Sequence, residues 1–557
     1  MTRHQLALLS AAALVLSAAA LLVGQPGEQT VTLRRKTSQL VLRPSARYAA
    51  FRLADGISDA QLQAAVQGNV ISRGLFQSPI LAAKRLLLVG TTPVVQPASE
   101  QFSRSIALAS PGSTRVPSYS VGNLDVIATD DVLVRFIADA SEAERNRIAA
   151  LVDGQFVDRP LGAAWTLRIV GNRSAIDASN ALNEQQAVQY AEPDFVVVIP
   201  PRPRVPAAGT PAAAAGAAPV AGVLNDPLFP RQWSLRNRGV GNKNADIRIE
   251  GAWSGVTTTR TIKVAVLDEG VDVRHPDLKD KIVDPYDAMG LLPPGKQDPN
   301  PWDAHGTAVA GIIAAGTNNR EGIAAVGYDT RLMPIRIAST EKPTNTADPN
   351  PWVTTTRIMG RGIRYAVDHG ADVLNNSWNG GNDGLSEDVE DALKHAVTAG
   401  RNGAGAVVIF SAGNTGSSVV WPATLARALP IIAVAATNEW DEIKTRNSQD
   451  KENWWASSLG PEVTVAAPGV HILTTDNVGD DGFVKGDDYA SAFNATSSAT
   501  PHVAGVAALL LARNPHWKAQ QVKDRIKSTA DPLTMPDGTP ATFGRLNACK
   551  ALGVTPC

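Results

Sequence analysis

The chain reads as an α/β protein, a doubly wound and mostly parallel sheet preceded by a small α+β region. Three observations carry this. From Arg260 onward, near-continuous apolar runs (Ile262–Leu267, Leu332–Ile337, Asp372–Trp378, Ala406–Phe410, Ile431–Ala436 and Val463–Ala467) alternate with helical stretches, the pattern of strands buried on both faces. Between Asp131 and Ile199 the order is β-α-β-β-α-β. The segment 201–222, rich in proline and alanine, separates the two as an extended linker.

With 44% hydrophobic and 19% charged residues among 557, the chain has the apolar content for several cores and is not of the disordered class. Lysine and arginine (52) balance aspartate and glutamate (53), so no net charge draws it to nucleic acid. At the N-terminus, Arg3 and His4 precede the apolar run Leu6–Val23, broken only by Ser10 and Ser17 and followed by Gly24-Gln25-Pro26. Residues 1–24 therefore have the layout of a secretory signal peptide, or of a membrane anchor if left uncleaved, and either implies export. Outside the cytoplasm Cys549 and Cys557 could close a short terminal loop as a disulfide; the alternative is two spare thiols.

Within residues 128–200, Asp131–Ile137 and Ala164–Val170 read as strands and Ser141–Val152 as a helix with Ser141 at its N-cap. A helix over 175–183 and a strand over 195–199 complete the unit. Residues 30–120 form a second α+β region with strands at Tyr48–Leu53, Val70–Leu75 and Leu86–Gly90 and a helix at Ser58–Val66. The match of Val70-Ile-Ser-Arg-Gly-Leu75 to Phe156-Val-Asp-Arg-Pro-Leu161 suggests two related units in tandem. Residues 223–557 make the final domain.

In parallel sheets, reacting groups sit beyond the carboxyl ends of the strands. Ser497 opens a small-residue helix in which Pro501 is tolerable only near the first turn, so backbone N–H groups and the positive end of the helix dipole converge on its hydroxyl. A serine nucleophile needs a base, an orienting acid and an oxyanion donor. Asp268 ends the strand Lys263–Leu267 and can orient an imidazole, although a strand-end aspartate also caps turns. Of eight histidines, His305 alone stands at the start of a small-residue helix, in His305-Gly-Thr-Ala-Val-Ala-Gly311; His369 and His395 lie on surface helices and His502 points away from Ser497. Asn414, after the buried strand Ala406–Phe410, places an amide where it could reach an oxyanion.

Asp268-Glu-Gly-Val-Asp-Val-Arg-His-Pro-Asp-Leu278, His305–Gly311, Ser411-Ala-Gly-Asn414 and Ala495-Thr-Ser-Ser-Ala-Thr-Pro-His-Val-Ala-Gly505 together resemble the four signature motifs of the subtilisin-like serine peptidases, in the order Asp, His, Ser. The resemblance implies a subtilisin-like fold and an endopeptidase acting on protein or peptide substrates through Asp268, His305, Ser497 and Asn414, with no cofactor required for the chemistry. It implies that Ser377, Trp378 and Asn379 lie in the segment that pairs with extended substrate; a core role for Trp378 stands beside that. The residues 128–200, ending in Tyr190-Ala-Glu-Pro-Asp194, resemble the family's propeptide, which would make the chain a zymogen with its own propeptide as partner. Asp277, Asn319 and the loop Thr317–Ile323 resemble parts of a structural calcium site. The sequence departs from the family at Glu269, Ala308, Ala495 and Ser498, none of them a triad position. The alternative reading is a catalytically silent member acting as a binding or inhibitory protein.

Overall fold

The computed structural model describes residues 29–53, 75–76, 79–90, 114–122, 124–158, 164–199, 224–254, 260–340, 351–381 and 384–555. The expected signal or anchor segment, the linker 201–222, the helix Ser58–Val66 and nearly all of Val70–Leu75 lie outside them, and with them the tandem-unit comparison. Among the described residues no helix is long and apolar enough to cross a membrane.

The larger sheet has nine strands, in the order Tyr286–Asp287, Thr330–Arg336, Ile262–Asp268, Val373–Asn376, Val407–Ser411, Ile431–Thr437, Val463–Pro468, Pro540–Arg545 and Asp531–Thr534. All neighbours are parallel except the last pair. Alternate residues of each strand enter different cores, which is why the runs are apolar throughout. Val264, Val266 and Ile409 pack with Val309, Val503 and Leu510 on one face. Ala265, Leu267 and Phe410 pack with Met359, Ile363 and Leu393 on the other. The expected strand Asp372–Trp378 shortens to Val373–Asn376, because Ser377 leaves the ladder to bond with Ser497.

Two helices cross the first face, His305–Ala314 and Thr496–Arg513. Small residues let them and the sheet approach closely: a Cβ on Gly306 would collide with the Gly270 carbonyl oxygen, and one on Gly505 with Val326. The other face is covered by Thr356–Asp368 and Glu387–Ala399.

The residues before the linker build a four-stranded sheet and seven strands of a second, eight-stranded one. The expected β-α-β-β-α-β order is present as Leu124–Phe136, Glu142–Ala150, Gly154–Asp158, Trp165–Ile169, Ala175–Asn183 and Val188–Ile199. Ser141 caps its helix by accepting the Glu144 N–H at 3.2 Å. Both outer strands are longer than the sequence suggests, since they recruit partners from elsewhere in the chain. Leu124–Phe136 takes Ser118–Val121 on one side, joining the residues before and after position 120 in one sheet. Val188–Ile199 pairs antiparallel with Trp352–Thr355 of the larger domain, Val196 opposite Thr355 and Ile199 opposite Trp352. Near the C-terminus Cys549 is disulfide-bonded; Cys557 lies outside the described residues.

Candidate active site

Asp268 is the last residue of its strand and is buried, with Oδ1 accepting the Glu269 N–H at 2.9 Å. His305 opens its helix directly opposite. Its Nδ1 lies 2.8 Å from Asp268 Oδ1 and 3.0 Å from Oδ2. An acid on Nδ1 fixes the tautomer that leaves Nε2 as the proton acceptor and stabilises the ring once it is charged. The imidazole edge packs on the Phe493 ring, centroids 5.2 Å apart.

Ser497 is the second residue of the helix Thr496–Arg513. Its hydroxyl donates to the Ser377 carbonyl at 3.2 Å, and its own carbonyl accepts the Ser377 hydroxyl at 3.0 Å. Pro501 explains the second bond. It stands four residues on, where an ordinary helix residue would donate its N–H to Ser497, and proline has none. The nucleophile is therefore anchored from outside its own helix, by a serine on a neighbouring strand end that is itself held by Asn375 Nδ2 at 3.0 Å. Before the helix, Ala495 adopts φ 88° and ψ 175°, a region that alanine visits only at a cost because of its Cβ.

Asn414 follows the strand Val407–Ser411. Its Oδ1 accepts both the Thr496 N–H at 2.9 Å and the Thr496 hydroxyl at 2.7 Å. Fixing the oxygen end fixes which end of the amide can donate, so the NH₂ is presented beside the first turn of the serine helix. Thr496, not singled out from the sequence, sets this orientation; Gly413 N–H also donates to its hydroxyl, at 3.3 Å.

Trp378 is buried and meets Phe410 edge to face at 5.1 Å, within the core beneath the sheet. Its indole is a packing group here, while Asn379 is half-buried beside it. His502 also turns from the site, its Nδ1 bonding the Ser498 carbonyl at 2.8 Å; full burial pushes its pKa down to about 4.

A further group supports the approach to Ser497. Asn494 Oδ1 accepts the His471 N–H at 2.6 Å, and its Nδ2 donates to Glu452 at 2.9 Å. The His471 ring lies 2.8 Å from Glu439 and 3.4 Å from Glu452. Burial opposes its charge, but the two carboxylates outweigh it and push the pKa up to about 10.

Asp277 Oδ1 accepts from Asn319 Nδ2 at 2.9 Å and Oδ2 from the Ile323 N–H at 3.1 Å. Burial, with Asp226 and Glu321 nearby, pushes its carboxyl up to about 6. Among the described residues no three His, Cys, Asp or Glu side chains are close enough to hold a metal by themselves.

The model of the subtilase family matches residues 259–546. A calcium-dependent protease of Trichormus variabilis is 33% identical over 362 residues, 58% of this chain and 51% of that one; the chain thus spans about half the length of this relative. Thermitase of Thermoactinomyces vulgaris is 34% identical over 331 residues, 59% of this chain and 98% of that one. Among solved structures, fervidolysin of Fervidobacterium pennivorans, described as a keratinolytic enzyme related to subtilisin, superposes with a TM-score of 0.55 at 26% identity, over 78% of this chain and 61% of that one.

Proposed function

The chain belongs to the subtilase family, and from that premise we propose that it is an exported serine endopeptidase, made as a zymogen, that hydrolyses peptide bonds through Asp268, His305 and Ser497. The observation that carries the reading is the His305 ring held by both oxygens of Asp268, at 2.8 and 3.0 Å, on the face where the serine helix begins.

In the reaction the Ser497 hydroxyl turns from the Ser377 carbonyl to Nε2 of His305, which takes its proton as Oγ attacks the substrate carbonyl. The tetrahedral oxyanion is met by the Ser497 backbone N–H and the Asn414 NH₂, which gain most in the transition state because they are already oriented. His305 then delivers the proton to the leaving amine, and water repeats the sequence on the acyl-enzyme. Ser377 to Asn379 contribute backbone to an extended substrate, with Trp378 packing beneath it.

The zymogen reading is supported by two carboxylates of the propeptide-like unit. Glu192 accepts from the Ser386 hydroxyl, from the Glu387 N–H at 2.7 Å and from the Asp388 N–H at 3.2 Å, capping the helix Glu387–Ala399. Asp194 accepts the Arg357 N–H at 3.1 Å at the start of Thr356–Asp368. The layout of residues 1–24 in the sequence supports export. A structural calcium ion at Asp277 is part of the proposal: the carboxylate is buried, and Asn319, which here turns Nδ2 towards it, would reverse its amide to offer the oxygen such an ion takes.

The test follows purified full-length chain and its Ser497→Ala counterpart over time by intact mass and by hydrolysis of unfolded casein. The proposal expects only the first to shed about its first two hundred residues and then digest casein. Two whole, inert proteins, with calcium present, would favour the silent alternative.

A further inference from the structure

The residues ahead of the propeptide-like unit bring two cations that the proposed reaction does not use. The first is Arg35, at the turn between the strands Val31–Arg34 and Gln39–Pro44. Its side chain is only 6% exposed. Nη1 donates to the Gly384 carbonyl at 2.8 Å and Nη2 to the Leu385 carbonyl at 2.7 Å, just before the helix Glu387–Ala399. The same guanidinium lies 3.6 Å from Glu192 and 3.7 Å from Glu387. The second is Lys84, following the short helix Pro79–Ala83. Its ammonium donates to Asp194 at 3.2 Å and to Asp131 at 3.0 Å.

Each carboxylate that caps a helix of the larger domain thus has its own cation, and both cations come from the same earlier region. The placement is built. The strand Val31–Arg34 is fixed along the helix Ala175–Asn183, with Arg34 N–H donating to Asn180 at 2.6 Å and Asn183 donating to the Arg34 carbonyl at 2.8 Å. A buried carboxylate without a cation tends to take up a proton, which weakens the bonds it accepts. Glu192 stands near that limit: full burial pushes its pKa to about 7 even though Arg35 pulls it down.

We propose that the described residues between 29 and 122 are a second clamp on the larger domain, in which Arg35 and Lys84 pair with the capping carboxylates Glu192 and Asp194 and hold them on the helix starts. The propeptide-like unit then grips its helices tightly only while the earlier region is in place. The consequence for activation rests on the zymogen reading above; the clamp itself does not.

The experiment uses the full chain with Ser497→Ala, so that it stays intact, and compares it with Arg35→Gln and Lys84→Met versions by hydrogen exchange. Arg35→Gln is expected to speed exchange about tenfold at residues 387–388 and to leave residue 357 unchanged; Lys84→Met should do the reverse. Wild-type exchange at both helix starts in both variants overturns the clamp. If Arg35→Gln unfolds the chain, Lys84→Met decides alone, since that side chain is 24% exposed and its loss leaves no empty core site. With Ser497 restored, each variant should shed its N-terminal residues several-fold faster than wild type; equal rates overturn the proposed effect on activation. If no version ever digests casein, the peptidase reading fails while the exchange data still judge the clamp.

Discussion

Ser377 and Ser497 bond to each other in both directions, each hydroxyl donating to the other's carbonyl at 3.2 and 3.0 Å. One of these bonds replaces the helix bond that Pro501 cannot make. Removing the Ser377 hydroxyl leaves a fully buried carbonyl unsatisfied, at a cost of about 1–3 kcal/mol. Ser377→Ala should therefore lower stability by that amount in urea titration, and adding Pro501→Ala, which restores an N–H four residues on, should recover a large part. A double variant no better than Ser377→Ala would refute this account of the proline.

Ala495 sits at φ 88° immediately before the serine helix. Backbone strain of this kind costs on the order of 1–3 kcal/mol, against about 0.5–1 kcal/mol of extra chain entropy for glycine. Ala495→Gly is expected to raise stability by about 1 kcal/mol, read as a higher urea midpoint at unchanged slope. A loss of stability would show that the alanine methyl contributes packing worth more than the strain.

The amide of Asn414 is aimed by Thr496. Asn414→Ala should cut kcat roughly 100- to 1000-fold with little change in KM, as for loss of one oxyanion donor. Thr496→Val keeps the backbone bond and removes the hydroxyl one, so about a tenfold loss is expected. Equal losses in the two variants would mean that Thr496 does more than orient the amide.

Two histidines give stability opposite slopes with pH. His471 has a folded pKa raised from 6.5 to about 10, so its contribution is complete below 6.5 and fades as pH rises towards 10. His502 has its pKa lowered from 6.5 to about 4, so it is neutral in both states above 6.5 and costs stability as pH falls towards 4. Moving a pKa by one between the unfolded and folded chain changes stability by about 1.4 kcal/mol, so both limbs should be visible in melting temperatures between pH 4 and 10. His471→Gln should flatten the alkaline limb alone and His502→Asn the acid one.

Chelation tests the ion proposed at Asp277. With calcium at about a hundred times its dissociation constant, binding adds about 2.7 kcal/mol, so EDTA should lower the melting temperature by several degrees. Asp277→Asn should melt at the same temperature with and without chelator. An EDTA effect that survives this substitution would assign the ion elsewhere.

Six of the nine strands of the larger sheet were legible as apolar runs, and Asp268, His305, Ser497 and Asn414 stood out because each sits at the end of such a run or at the head of a small-residue helix, a local pattern; Tyr286–Asp287, Asp531–Thr534 and Pro540–Arg545, short or polar strands towards the sheet's edges, were not. What else was not legible is long-range and polar. Nothing near Ser377 in sequence indicates that its partner lies 120 residues on, and Arg35 reads as an ordinary basic turn residue although it bonds across 349 positions to Gly384. Lys444 is the clearest instance. In a polar loop it reads as solvated, yet it is fully buried, 2.9 Å from Asp450 and over the Trp455 ring at 5.1 Å. A side chain's hydropathy cannot report a cation that is buried because a carboxylate and an indole are waiting for it. Trp378 was the opposite case, an aromatic beside the site whose indole belongs to the core.

The pairing of Val196–Ile199 with Trp352–Thr355 also bears on how the molecule behaves in company. While the two strands stay together, the edge of Trp352–Thr355 that faces Val196–Ile199 is a closed ladder. Any separation would expose a row of alternating N–H and C=O groups that water satisfies poorly beside Trp352 and Val353, and that another extended chain satisfies well. The freed rim is then adhesive towards any backbone, including that of a second molecule, so crowding at the moment of separation would favour clumping as well as capture.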